Sequence, residues 1–218
     1  MRLLCISDLH GNREALRGIL ASEQDVEAVL FAGDITNFGV PNEAQEIIEQ
    51  AQGYHRPVLA VSGNCDSPAI DARLRELGVG LHGRGAMLGK IGVHGVSGAP
   101  RWQPGMYEFT EDELWQAMND GGLEVAHAEH RVLLAHVPPH NAQVDRTYFR
   151  RHAGSKALRR HIDERQPKLV VCGHIHEARG HEMLDRTTVV NCGPAKHGYF
   201  AVAEVSAQGE VSVDLRQT

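Results

Sequence analysis

Five short segments of this 218-residue chain place polar, metal-ligating side chains directly after apolar runs. Asp8-Leu-His10 follows RLLCIS, Gly33-Asp34 follows AVLFA, and Gly63-Asn64-Cys65-Asp66 follows PVLAVS. His136 closes RVLLA, and Gly173-His174-Ile-His176 follows KLVVC. Any one of them has an ordinary explanation, since a strand-end Asp caps a helix or turn and a lone His is usually solvated. Five at the same position relative to an apolar run do not. Asp8, His10, Asp34, Asn64, His136, His174 and His176 together offer two carboxylates, one amide and four imidazoles. The absence of a thiolate cluster argues against structural Cys-rich zinc. Mixed oxygen and imidazole donors suit manganese first, with iron, zinc or nickel as alternatives, better than calcium or magnesium alone. Seven donors are too many for one tetrahedral ion and enough for two divalent ions sharing a bridging carboxylate. The positive charge left over suits hydroxide and an anionic substrate, because a metal lowers the pKa of its bound water towards ~7. Two ions roughly 3.5–4 Å apart can clamp an in-line displacement at phosphorus.

The elements that must position these residues are legible as well. Six apolar runs of strand length (2–7, 28–33, 57–63, 91–98, 131–136 and 168–173) are bounded by Gly, Pro or polar residues. Helical patterns lie between most of them. Residues 12–22 carry Ala15, Leu16, Ile19 and Leu20 at helical spacing, and residues 155–165 put Leu158 and Ile162 on one side. Residues 41–52 open with Pro41 and residues 68–77 with Ser67-Pro68, both favoured helix starts. Residues 111–120 open on Thr110-Glu-Asp-Glu113, a capping-box sequence. Strand alternating with helix predicts βαβ units in a largely parallel sheet, and ligands in such sheets bind outside the carboxyl ends of the strands. The last forty residues change to consecutive antiparallel strands, with hairpin tips expected at Asp185-Arg186 and Gln208-Gly209. The prediction is an α/β fold with two sheets and helices outside, as a single domain over 1–218.

The ordered blocks Asp8-x-His10, Gly33-Asp34, Gly63-Asn64-x-Asp66, His136 and Gly173-His174-x-His176 resemble the five motif blocks of the calcineurin-like metallophosphoesterases. They cover residues 8–176, and the ordered set is far more specific than any single block. The resemblance implies a four-layer α-β-β-α sandwich of two mixed sheets flanked by helices. It implies that Asp8, His10 and His176 hold one metal, that Asn64, His136 and His174 hold the other, and that Asp34 bridges them. It also implies that Asn64 contacts the substrate phosphate. The activity expected is phosphodiester hydrolysis by a metal-bridging hydroxide, with Asn64 and His174 helping to stabilise charge on the phosphoryl oxygens. Phosphomonoesterase, nucleotidase and phosphoprotein phosphatase activities are the alternatives. So is a non-catalytic protein-binding scaffold, since the retromer scaffold subunit resembles this fold.

One position departs from the family pattern. The block is usually Gly-Asn-His, whose His donates a proton to the leaving oxygen, and here that residue is Cys65. The change resembles a small single-domain prokaryotic branch with phosphodiesterase activity. Cys65 could be a proton donor, a small residue packed near the metals or, least favoured, a covalent nucleophile, and nearby cations would favour its thiolate. His140, in HVPPH, is a candidate to contact substrate or replace the missing acid. His94 interrupts an apolar run and reads as a buried histidine with its hydrogen bonds satisfied. Arg146, Arg150, Arg151, Lys156, Arg159 and Arg160 read as a solvated face, with a phosphate-steering rim as the alternative. The Gly/Pro-rich stretch 97–110 with Trp102, Met106, Tyr107 and Phe109 is either a substrate-shaping lid or an oligomer contact.

Bulk composition is that of a globular protein, 42% hydrophobic and 23% charged. A formal net charge of -6 argues against general nucleic-acid binding. No run approaches the roughly 20 apolar residues of a membrane span. No signal peptide is legible at the N-terminus and the four cysteines show no CxxC spacing, so a cytoplasmic protein without disulfides is expected. A phosphate-ester substrate and a possible homo-oligomer complete the expectations.

Overall fold

The computed structural model describes residues 1–54 and 57–218. Its strands in chain order are β1 (Arg2–Ile6), β2 (Ala28–Ala32), β3 (Val58–Val61), β4 (Gly85–Leu88), β5 (Ile91–Val96), β6 (Ala99–Pro100), β7 (Glu108–Phe109), β8 (His130–Ala135), β9 (Leu169–Cys172), β10 (Gly180–Leu184), β11 (Thr187–Asn191), β12 (Tyr199–Val205) and β13 (Val211–Gln217). The α-helices are α1 (Arg13–Ser22), α2 (Pro41–Tyr54), α3 (Pro68–Glu76), α4 (Glu111–Glu124) and α5 (Lys156–Arg165). One sheet has the order β13-β12-β1-β2-β3 and the other β10-β11-β9-β8-β5-β4. The first is parallel from β1 to β3 and antiparallel from β1 to β13, and the second is parallel at its centre and antiparallel at both edges. The predicted arrangement of two mixed sheets with helices outside is the one observed.

Side-chain alternation sorts the core into three layers. Leu3 and Cys5 of β1 point towards the second sheet, where they meet residues such as Val132, Leu134 and Val171. Leu4 and Ile6 of the same strand point the other way, onto Leu16, Ile19, Ile47 and Ile70 of α1, α2 and α3. The outer face of the second sheet, with Leu133 and Val170, packs against Leu114 and Met118 of α4 and Leu158 and Ile162 of α5. Period-two alternation on central strands buried on both faces thus produces α, β, β and α layers, while edge strand β13 alternates half-buried Val211, Val213 and Leu215 with exposed Ser212 and Asp214.

The helix starts follow the sequence signals. Asn12, Ser67, Thr110 and Ser155 each accept a backbone N–H at the helix N-terminus, and Thr110 with Glu113 closes the capping box. The predicted end of α4 is too early, because the helix continues to Glu124 through Gly121 and Gly122. A Cβ on Gly121 would sit 2.5 Å from the Arg84 carbonyl oxygen, so the glycine serves close approach of the helix to the chain beside β4. The basic stretch is a solvated helix face where it enters α5, with Arg159 paired to Asp163 and Arg160 to Glu164. The reading of the C-terminal region as one run of consecutive antiparallel strands needs correction. Both hairpins form, β10 with β11 and β12 with β13, but they lie in different sheets. The link from Cys192 to Gly198 crosses between the sheets, and β12 is drawn to β1 by its own buried face.

His94 is buried on the helix side of β5 as expected, 2% exposed, but it is not fully satisfied, and its side-chain partner among the described residues is another histidine. Its Nε2 lies 3.3 Å from Nε2 of His161, and Nδ1 of both rings lacks a hydrogen-bond partner. Burial, followed by the neighbouring imidazole and Arg131, pulls His94 down to about 3, and burial with Arg165 pulls His161 down to about 4. Both rings are therefore neutral in the folded chain at pH 5, whereas an unfolded histidine protonates near ~6.5. The unfolded state then binds more protons, so the stability this pair contributes is present above pH ~6.5 and is lost as pH falls towards 4. The expected loss by pH 5 is on the order of 4 kcal/mol for the two groups together. His161→Phe should shrink that loss by about half in denaturant titrations run from pH 6.5 to 5. An unchanged pH slope would show that His161 is not held neutral.

Candidate metal centre

The parallel strands of both sheets end at one edge, and the seven predicted donors meet there. Asp8, His10, Asp34 and Asn64 come from the loops after β1, β2 and β3, and His136, His174 and His176 from those after β8 and β9. Asp8, His10 and His176 place ligand atoms within 4.8 Å of one another, as do Asp8, Asp34 and His136. His174 joins them through its backbone N–H, which donates to Asp8 Oδ2 at 3.0 Å, and through its ring, 5.0 Å from that of His136.

Local backbone geometry turns the side chains inward. Asp8, His10, Asp34 and His174 have φ of 54, 48, 49 and 67°, in the left-handed region. For a non-glycine residue that region costs about 1 kcal/mol or more, and such strain concentrates at functional sites. Glycine supplies the close approach. A Cβ on Gly63 would lie 2.1 Å from Asp34 Oδ1, and one on Gly173 would lie 1.8 Å from Ser7 Oγ and 2.3 Å from Asp8 Oδ2. A side chain at Gly173 would hold the two sheets apart, and one at Gly63 would part the loops after β2 and β3 within one sheet.

The electrostatics fit cation binding. Burial alone would raise the Asp8 carboxyl, but the His176 hydrogen bond and the charge of His136 outweigh it and hold the group at about 2. Burial, reinforced by His136, takes His174 down to about 4, and burial also lowers His10. His136 moves the other way: burial opposes its charge, but Asp34 and Asp8 raise it. Its Nδ1 lies 2.9 Å from the Ala32 carbonyl oxygen, which can only accept, so Nδ1 carries the proton. That leaves the Nε2 lone pair facing Asn64 Oδ1 at 2.9 Å and Asp34 Oδ1 at 3.5 Å. Acceptors so close are held together by a positive charge between them, either a proton or a metal ion. Both ring nitrogens of His10 are buried without a hydrogen-bond partner, although Asp34 Oδ2 is 3.8 Å from Nε2. Orphaned imidazole nitrogens beside converging carboxylates fit divalent ions, and the Ala32 carbonyl is the kind of outer contact that orients a ligating histidine.

Cys65 lies at the rim of this group. Its Sγ is within 4.8 Å of ligand atoms of His10 and Asp34, and its N–H donates to Asp34 Oδ1 at 2.8 Å. Burial, then the Asp34 carboxylate, pushes its thiol well above the ordinary range. His140 sits elsewhere in the loop after β8. Its Nδ1 is 3.8 Å from Asp145 Oδ2 and its ring packs against His152, while no candidate ligand is among its contacts in the described residues.

Several positioning residues were not singled out from sequence. Asp66, named only within its motif block and given no role, is 5% exposed and accepts N–H groups from Ile35, Thr36 and Gly63. It locks the Asp34 and Asn64 loops together, and burial, followed by the Asp34 charge, raises it to about 6. Its place in the Gly-Asn-x-Asp block was the available signal. Asp145, fully buried, does the same for the loop after β8 by accepting from Asn141, Ala142 and Gly154. The 97–110 stretch is tied to the centre, with the Tyr107 N–H donating to the Asn64 carbonyl at 3.1 Å and Gly98 N–H to that of Ser62 at 2.8 Å.

Comparison with known proteins places this geometry. Residues 1–178 match the model of a family described as calcineurin-like phosphoesterase. The uncharacterized protein MJ1162 of Methanocaldococcus jannaschii is 28% identical over 92% of this chain and 90% of its own. The fold is shared with the protein TT1561 of Thermus thermophilus, with a TM-score of 0.80 at 18% identity over 99% and 98% of the two chains. It is also shared with a phosphopantetheinyl hydrolase of Mycobacterium tuberculosis, with a TM-score of 0.60 at 16% identity over 89% and 90%. Among the described residues, no helix is long and apolar enough to cross a membrane.

Proposed function

The chain belongs to the calcineurin-like phosphoesterase family, and on that premise we propose that it is a dinuclear metal-dependent phosphodiesterase. The observation that carries this reading is the convergence of two buried carboxylates, one amide and four imidazoles, with His136 Nε2 2.9 Å from Asn64 Oδ1. Asp8, His10 and His176 would hold one ion and Asn64, His136 and His174 the other, with Asp34 between them. When bound, divalent ions supply a water activated at neutral pH and offset the charge of the phosphate. Manganese is the ion to try first, followed by iron, zinc and nickel.

The chain's own residues do the rest. Asn64 Nδ2–H is placed to donate to a phosphoryl oxygen, since its present partners, Cys65 Sγ at 3.5 Å and Met106 Sδ at 3.9 Å, are weak acceptors. His136 is kept in one tautomer by the Ala32 carbonyl. Cys65 stands where the family's imidazole donates a proton to the leaving oxygen. Lacking that donor, the site favours esters whose leaving group departs without one, and diesters with stable leaving anions fit this best.

The test is metal analysis paired with hydrolysis assays. Protein loaded with Mn²⁺ should cleave bis-p-nitrophenyl phosphate and act far less on alkyl phosphomonoesters. Cys65→His should restore an acid and raise alkyl monoester turnover by about 10²-fold. Inactivity with each of the four metals would favour the scaffold alternative. An unchanged monoester-to-diester ratio in Cys65→His would remove Cys65 as the determinant of specificity.

A further inference from the structure

A cavity of about 270 Å³ opens beside His174, lined by Ala99, Pro100, Trp102, Thr147, Ala153 and Ile175. It therefore adjoins one of the candidate metal ligands. Apart from His174 and the Thr147 hydroxyl, its side chains carry no polar atom other than the indole N–H of Trp102. Its volume lies just below the ~300–1,000 Å³ of small-molecule pockets, enough for one ring system beside a phosphate.

Two loops build the cavity, and both are tied down. On one side, β6 pairs with β7, and the N–H of Arg101 donates to the Phe109 carbonyl at 3.1 Å. Gly98, at φ +73°, allows this turn, because a Cβ there would sit 2.7 Å from both Phe109 and the Tyr107 carbonyl oxygen. The Tyr107 N–H then fastens the same loop to Asn64. On the other side, Thr147 and Ala153 belong to the loop organised by Asp145, whose own carbonyl accepts the Ala153 N–H at 3.1 Å. Trp102 is 70% exposed despite its size. An indole left uncovered at the mouth of a mostly apolar cavity presents a face for a flat partner, and aromatic pairs gain from stacking beyond the area they bury.

Resting on the phosphodiesterase reading, we infer that this cavity seats a planar aromatic group carried on the ester of the substrate, and that Trp102 is a specificity-determining residue. Alanines at 99 and 153 leave room for the ring, Pro100 and Ile175 keep it from water, and the phosphate stays beside His174.

Non-hydrolysable phosphonates test the inference. Phenylphosphonate should inhibit hydrolysis of bis-p-nitrophenyl phosphate about 10-fold more strongly than methylphosphonate, and more strongly than cyclohexylphosphonate, which has similar bulk without planarity. Trp102→Ala should reduce the phenyl-to-methyl ratio of inhibition constants to about 2-fold. Thymidine 5′-monophosphate distinguishes a nucleobase carried through a sugar from a ring held close to the phosphorus, as in phenylphosphonate. Tighter inhibition than methylphosphonate by either supports the cavity, and the tighter of the two identifies the source of the ring. Equal inhibition constants across the set, or an unchanged ratio in Trp102→Ala, would overturn the inference. Quenching of Trp102 emission by the same phosphonates in Mn²⁺-loaded protein gives the ratio without turnover, with Trp102→Ala as the blank. An inactive protein would therefore refute the phosphodiesterase reading and still leave the cavity to be decided by binding.

Discussion

Asp34→Asn is expected to lower kcat/KM for bis-p-nitrophenyl phosphate by ~10³-fold or more and to drop bound metal below two ions per chain. The substitution keeps the size of the side chain and leaves an oxygen for the Cys65 N–H, which donates to Asp34 Oδ1 at 2.8 Å. The fold should therefore survive, and the thermal midpoint of the metal-free variant should stay near that of the parent. What is lost is the anionic charge and the second carboxylate oxygen. Oδ1 lies 3.5 Å from His136 Nε2 and Oδ2 lies 3.8 Å from His10 Nε2, so the two oxygens face the two halves of the donor set. An amide can offer one oxygen to one ion and turns an NH₂ group towards the other. Elemental analysis with an assay on bis-p-nitrophenyl phosphate checks this, and a variant that keeps two ions and full activity is incompatible with a bridging Asp34.

A second large effect is expected from a residue without a side chain. Gly173→Ala places a methyl group 1.8 Å from Ser7 Oγ and 2.3 Å from Asp8 Oδ2. Ser7 is itself fixed, with its hydroxyl donating to the Ala32 carbonyl at 2.9 Å. Relief requires β9 to move away from β1, which means separating the sheets at the edge where their donors meet. Overpacking of this kind costs about 1–3 kcal/mol or more. The same displacement breaks the contact between the His174 N–H and Asp8. Denaturant titration should show the loss of stability, and metal analysis should show weakened binding in the same variant. Retention of parent stability and metal content would mean that the sheets are not in contact there.

The sequence carried the site residues better than their surroundings. All seven candidate donors lie in loops that follow strand ends, so apolar runs followed by Asp, Asn or His were enough to single them out as candidates. Helix starts were legible because capping is local, as at Ser67 and Thr110. The sheet membership of β11 and β12 was not, since it depends on which buried face each strand presents to partners far away in sequence. Asp66 and Asp145 escaped notice for a related reason. Their roles consist of backbone N–H groups that gather around them only after the loops have folded. The 97–110 stretch showed its unusual composition but not its attachment, because the bond from Tyr107 to Asn64 uses backbone atoms that every residue has.

The division of the donors between two sheets also has a kinetic side. The contacts that close the centre join residues 166, 104 and 72 positions apart along the chain. Contacts of such span form slowly, because long segments must first be brought together. The hairpins β10–β11 and β12–β13 can form locally, whereas the clasp between the sheets must wait for both. Ions that bind only the closed clasp would then act chiefly on the rate of opening, by stabilising interactions absent from the transition state. Metal supply would thus set the lifetime of the folded molecule, and a chelator would shorten that lifetime while leaving the speed of folding nearly untouched.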